Sequence, residues 1–216
     1  MIIILNLNQK VVEDILLDLE RLKSHLLNVY QKEKVLEYTS MINNPEYKQP
    51  LRINGYSVFQ FAYAGSIPLN RLDDEELRNL TKSYMEWCTH SIYNPKDHGL
   101  PFKRAKIFIQ HFYKNKVIRD LDNRNHKFIL DAIRLARIIK DDNWQNISLD
   151  ISGHLDERNH VQVYVVDEKN KHHFAKYLDD HKYKLQKTPF PHEMFMKKRT
   201  ELNQNAAKEV EVSNFW

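Results

Sequence analysis

One cysteine, four glycines and no apolar stretch long enough to span a bilayer are the scarcities of this 216-residue chain. The lone Cys88 excludes an internal disulfide framework and any multi-cysteine zinc site, and it fits a reducing, cytoplasmic compartment. With so little glycine there is no glycine-rich phosphate loop, which removes the common nucleotide-binding motifs. Met1-Ile2-Ile3-Ile4-Leu5 is apolar but lacks a basic lead-in and is too short for a signal peptide. No later run could cross a membrane, so a soluble protein without a membrane partner is expected. Histidine chemistry is thin as well. His192-Glu193 has no second histidine at zinc-protease spacing, His172-His173 reads as a solvated pair, and His154, Asn159 and His160 fall on an expected hairpin turn at the surface.

What the chain does have is charge in one place. Lys103 to Asp142 carries eleven Lys or Arg against five Asp, a local charge of +6 in a chain whose net charge is +4. A basic surface around carboxylates suits a phosphate-backbone binder, because each neutralised phosphate releases counterions; a solvated helix face is the plainer reading of such a stretch.

The periodicities divide the chain into an N-terminal helical extension (1–50), a core (54–168) and a basic C-terminal tail or helix (169–216). Ile2 to Leu5 is a strand candidate. Val12, Ile15, Leu19, Leu22, Leu26 and Val29 lay an apolar seam along a helix that packs on its own domain or pairs with a second copy. Asn43-Asn44-Pro45 and Gln49-Pro50 mark a linker, and Asn54-Gly55 opens the core. Tyr56 to Tyr63 predicts a strand closed by Gly65 and Pro68. Asp73 to Glu76 caps a helix whose buried stripe is Leu77, Leu80, Tyr84 and Trp87, with Cys88 in the core. Ala105 to Tyr113 predicts a second strand, Arg124 to Lys140 a helix, and Ile147 to Ser152 and Val161 to Val165 an antiparallel hairpin with one face buried and one wet. This order implies an α+β fold, a small mixed sheet with packed helices.

Carboxylates bracket the helix. Asp120 and Asp122 precede it, two apart, so in an extended segment both face one side and can share a cation; as local structure they cap helix N–H groups, with Asn123 well placed for that role. Asp141 and Asp142 follow it, where the dipole disfavours negative charge, so a bound cation, a basic partner or a wet turn must account for them. Oxygen donors without sulfur or imidazole suit Mg²⁺, with Mn²⁺ as a substitute. A straight helix over 123–139 would hold its ends roughly 25 Å apart at about 1.5 Å per residue, so the pairs converge only if the helix is shorter or the next strand returns beside Ala105 to Tyr113.

Arg119-Asp120-Leu121-Asp122-Asn123, with Lys127, Asp131 and then Asp141-Asp142, resembles the RusA family of Holliday junction resolvases. The resemblance covers residues 54 to 166 in order of elements, with its specific signal in 119 to 142. It implies a homodimeric, Mg²⁺-dependent endonuclease that nicks four-way DNA junctions. Asp120, Asp122 and Asp142 would be the metal-binding carboxylates, supported by Asp141, and Lys127 would contact phosphate or the reacting oxygen. Arg119, Arg124, Arg134, Lys114 and Lys116 are the expected DNA contacts. The family's lysine stands four residues after the second aspartate, where this chain has His126; Lys127 and Asp131 keep the family's spacing, which implies a one-residue insertion before the helix. The family's early proline-rich turn is echoed by Pro68 and Asn70. Two functions stand side by side: a catalytic resolvase of branched DNA, and a junction-binding module of the same fold without turnover.

Overall fold

The computed structural model describes residues 48–70, 74–90, 92–93 and 99–201, with Ile15, Asp18 and Leu19 as isolated positions. The chain divides into two compact units, Met1–Met41 and Ile42–Trp216. In the first unit Ile15, Asp18 and Leu19 are helical and exposed; the expected strand at Ile2 to Leu5 and the rest of the apolar seam lie outside the described residues.

The second unit is a mixed α+β fold built on a five-stranded sheet. Strand β1 (Leu51–Ile53) turns through Asn54-Gly55 into β2 (Tyr56–Ala64). Both turn residues have positive φ, 44° and 88°, the conformation that a two-residue hairpin of matching twist demands and that Asn-Gly tolerates. Helix α1 (Glu75–His90) follows, and Asp74 Oδ1 accepts the Leu77 amide at 2.9 Å, so Asp74 caps it as expected. Then come β3 (Ala105–Tyr113), α2 (Lys127–Leu135), β4 (Ile147–Leu155), β5 (His160–Asp167), α3 (Lys171–Leu185) and α4 over 192–201. No helix among the described residues is long and apolar enough to cross a membrane.

The strand order is β1-β2-β5-β3-β4. β3 and β4 run parallel, with Ala105 opposite Ile147 and Tyr113 opposite Leu155, so β3, α2 and β4 form one crossover unit. The other neighbours are antiparallel. The expected hairpin is thereby corrected. β4 and β5 do not pair: β3 lies between them, and the connection passes over its end, where the Asp156 amide donates to Tyr113 O and the Lys114 amide to Asn159 Oδ1. Gly153, which falls between the two expected strands, is inside β4, and His160, expected at the surface, is 2% exposed.

Alternation sends Phe59, Phe61, Ile107, Ile109, Val161, Val163 and Val165 to one face, where they pack with Tyr84, Met85 and Cys88 of α1 and Phe128, Ile129, Ala132 and Ile133 of α2. Burial pushes the Cys88 thiol up to about 12, which leaves it inert. Over β5 the opposite face is not wet, while β4 stays largely exposed. Val58, Phe108, Tyr164 and Val166 are covered by Phe174 and Leu178 of α3, each contributing roughly 2 kcal/mol of apolar burial. That cover is why β5 is buried on both sides, and it shows the stretch after Lys169 folded onto the sheet.

Helix α2 is nine residues long, half the expected span. Arg137 adopts φ 57°, and the Arg137 and Ile138 amides donate back to Arg134 O and Ile133 O, a left-handed stop that turns the chain at once. Residues 136 to 146 are left free to fold back along α2.

Candidate functional site

The acids before α2 lie on a loop fixed at three points. Leu121, between the two aspartates, lies over Gly153 of β4: a Cβ added there would be 3.5 Å from Leu121 Cδ2. Residues 67 to 70 form the second anchor. Leu69 bridges Arg124, the Asn125 amide donates to Pro68 O at 2.9 Å, and Asn70 Nδ2 donates to Asp122 O at 3.2 Å. Arg124 is the third, 6% exposed, with Nη1 donating to Ile67 O at 2.9 Å. Expected to contact DNA phosphate, Arg124 is instead a buried strut, because the bridge to Leu69 turns its side chain inward. Asp120 and Asp122 stay exposed, and neither makes an ion pair with a described residue.

The acids after α2 are tied. Asp141 Oδ1 accepts the Asp142 amide at 2.9 Å and Oδ2 accepts Asn143 Nδ2 at 2.6 Å; the first of these bonds holds the Asp141 carboxyl below its usual range. Asp142 Oδ2 stands 3.6 Å from Lys127 Nζ, whose nearer partner is Asp131 Oδ1 at 3.2 Å. Arg134 Nη2 reaches the same Asp131 oxygen at 3.3 Å. Two cations therefore converge on one largely buried carboxylate, and Lys127 links it to Asp142. The Asp131 hydrogen bond, with Asp142 beyond it, raises the Lys127 pKa, so this side chain is a cation at neutral pH.

The position of the lysine has a structural cause. His126, four residues after Asp122, points inward at the start of α2, where its Nε2 lies 3.0 Å from Nε2 of His111 on β3. The next residue, Lys127, is the first to face outward. Burial, then His126 and Arg124, lowers His111 to about 3, and burial and Arg124 lower His126 to about 4, so at neutral pH both rings are neutral and one proton at most lies between them. Sequence spacing gave no sign of this pair, since its members meet only when α2 packs on β3.

Of the remaining basic residues, Lys114 and Lys116 are exposed. Arg119 is engaged in its own loop: Nη1 donates to Val117 O and Nη2 to Asn115 Oδ1, both at 2.7 Å, and its guanidinium lies 4.6 Å over the Tyr113 ring.

Among the described residues no group of three or more His, Cys, Asp or Glu is arranged to hold a metal ion. The fold thus brings Asp142 to Lys127 but does not gather the four aspartates into a closed cage. An open site is a different matter, because Mg²⁺ keeps several waters and commonly binds through one or two carboxylates with substrate phosphate. Exposed oxygen donors without a cationic partner among the described residues, Asp120 and Asp122 fit that arrangement. Compared with known proteins, the chain matches no protein-family model and no curated protein, so the resemblance to RusA resolvases rests on residues 119 to 142.

Proposed function

We propose that this chain is a structure-specific endodeoxyribonuclease that resolves four-way DNA junctions by Mg²⁺-dependent phosphodiester hydrolysis. The observation that carries the reading is the 3.6 Å contact between Lys127 Nζ and Asp142 Oδ2. The lysine and the last aspartate of the pattern, at opposite ends of α2 in sequence, meet in space because that helix stops early.

Asp120 and Asp122 would hold the metal, Mg²⁺ or in substitution Mn²⁺. Bound there, it supplies an activated water and neutralises charge on the leaving oxygen. Lys127 keeps its proton and donates hydrogen bonds to a non-bridging phosphate oxygen; Asp131 and Asp142 position it and prevent it from acting as a base. Lys114 and Lys116 hold flanking phosphates, contacts that place a duplex without reading its bases and so suit recognition of branched shape. A twofold homodimer would present two such sites for paired cuts.

A second reading, a junction-binding module without turnover, is favoured by one observation: no ready-made set of three metal ligands exists among the described residues. Labelled four-way junction and plain duplex, incubated with Mg²⁺, Mn²⁺ or chelator, separate the two. Metal-dependent paired nicking of the junction by the wild type, lost in Asp122→Asn, is the expected result. Binding without cleavage under either metal would establish the module instead, and a monomer by light scattering at micromolar concentration would count against paired cutting.

A further inference from the structure

Ile118 is 94% exposed and its neighbour Val117 63%, on a loop of the described residues that is anything but slack. At its base the Lys114 amide donates to Asn159 Oδ1 at 2.9 Å. Across its middle the Arg119 guanidinium bonds Val117 O and Asn115 Oδ1 while stacking on Tyr113. An apolar side chain held outward by a fixed loop gains nothing for the fold. Its surroundings identify what it fits. Exposed Lys114 and Lys116 precede it, and the loop leads directly into Asp120 and Asp122. Cations for a phosphate backbone flanking a projecting aliphatic residue match nucleic-acid binders that insert an apolar wedge between base steps.

We infer that Ile118 is a wedge that enters between bases where strands diverge, with Lys114 and Lys116 on the adjoining phosphates and Arg119 as the clamp that holds the tip out. The inference rests on the branched-DNA reading above. At a branch point stacking is already broken, so insertion costs less there than in continuous duplex. The wedge therefore selects junctions over plain duplex, and Arg119 acts on DNA through the loop it closes.

The test is binding of the full chain, in chelator so that nothing is cut, to a four-way junction carrying 2-aminopurine at the branch and to a matched duplex. Wild type should raise the 2-aminopurine fluorescence several-fold. Ile118→Ala should abolish that rise and lower the junction-to-duplex affinity ratio roughly tenfold, with an unchanged unfolding midpoint because the side chain is solvent-exposed. Lys114→Ala and Lys116→Ala should each reduce the salt dependence of binding by about one ion. Retention of the fluorescence rise and affinity ratio in Ile118→Ala, as expected if the loop docks a protein instead, overturns the wedge even where wild type cleaves junctions. Binding with the rise but no cleavage in metal leaves the wedge standing and overturns the nuclease. Failure of wild type to bind any DNA overturns both.

Discussion

The two acid pairs flanking α2 have the same chemistry and opposite surroundings. Asp141 and Asp142 are engaged within the chain: one closes a turn with Asn143 and a backbone amide, the other faces Lys127. Asp120 and Asp122 are held in place by what lies between and behind them, Leu121 on Gly153, Arg124 on Ile67, Asn70 on the Asp122 carbonyl, while their carboxylates are left to solvent. A backbone fixed at several points around side chains that do nothing for stability is the arrangement that places ligands for something external. The puzzle of two acids at a helix C-terminus has the opposite resolution. The helix ends before the dipole reaches them, and a lysine from its first turn supplies the opposite charge.

Asp122 is the position where a single substitution should cost most activity and least stability. Asp122→Asn should lower junction cleavage roughly 10²- to 10³-fold while shifting stability by less than about 0.5 kcal/mol, since the side chain is exposed and makes no ion pair with a described residue. Steady-state cleavage beside a thermal melt checks both halves. A large loss of stability with little loss of rate would mean that this pair, too, belongs to the fold.

Arg124 is the structural counterpart of these exposed acids. Arg124→Met should cost about 1–3 kcal/mol, because the Ile67 carbonyl loses a buried donor and the bridge that pins the acid loop loses its strut. Denaturant unfolding measures it. For a phosphate contact at the surface, the cost would be close to zero.

His111 on β3 and His126 at the start of α2 have folded-state pKa values of about 3 and about 4, below the 6.5 of a free imidazole. The sign follows. Between those values the unfolded chain binds more protons, so this contribution to stability is complete above roughly pH 6.5 and is lost as pH falls toward the folded values. Each ring contributes a slope of about 1.4 kcal/mol per pH unit within that window. Unfolding free energies from pH 7 to 4.5 should decline accordingly, and His111→Gln should flatten the decline by one ring's share.

Much of this was legible in local pattern. β3 runs from Ala105 to Tyr113 as its apolar and aromatic residues imply, and Asp74 caps α1 where acid precedes a helical stripe. The return of residues 145 to 152 beside β3 was one of two routes that the sequence allowed for bringing the acid pairs together, and β4 takes it. What pattern could not show was long-range choice. Val161 to Val165 reads as the partner of the strand before it, yet β3 takes the place between them, a preference set by two helices on one face and α3 on the other. In α3 only Phe174 and Leu178 are buried, too sparse a stripe among lysines and histidines to distinguish a packed helix from a basic tail. Arg124 sits in a basic run and gives no sign that it turns inward. The acid loop was legible as composition, and its anchoring by residues 67 to 70 was not.

The smallest effect concerns the helix stop that separates the two environments. Arg137 occupies a left-handed conformation, φ 57°, at a position that glycine fills without strain, and the carbonyls of Ile133 and Arg134 are already bonded to the turn. Arg137→Gly relieves about 1 kcal/mol of backbone strain and loses part of that gain to the greater freedom of glycine in the unfolded chain. A net stabilisation of a few tenths of a kcal/mol to about 1 kcal/mol is expected by chemical unfolding. Arg137→Val should move the other way, since a β-branched residue tolerates that φ worst. If valine lengthens α2 instead of destabilising it, the added turn carries Asp142 away from Lys127, and the tied pair becomes as free as the first. A rise in far-ultraviolet helicity, recorded beside the unfolding curve, would report that change, because the left-handed turn otherwise ends the helix at Leu135.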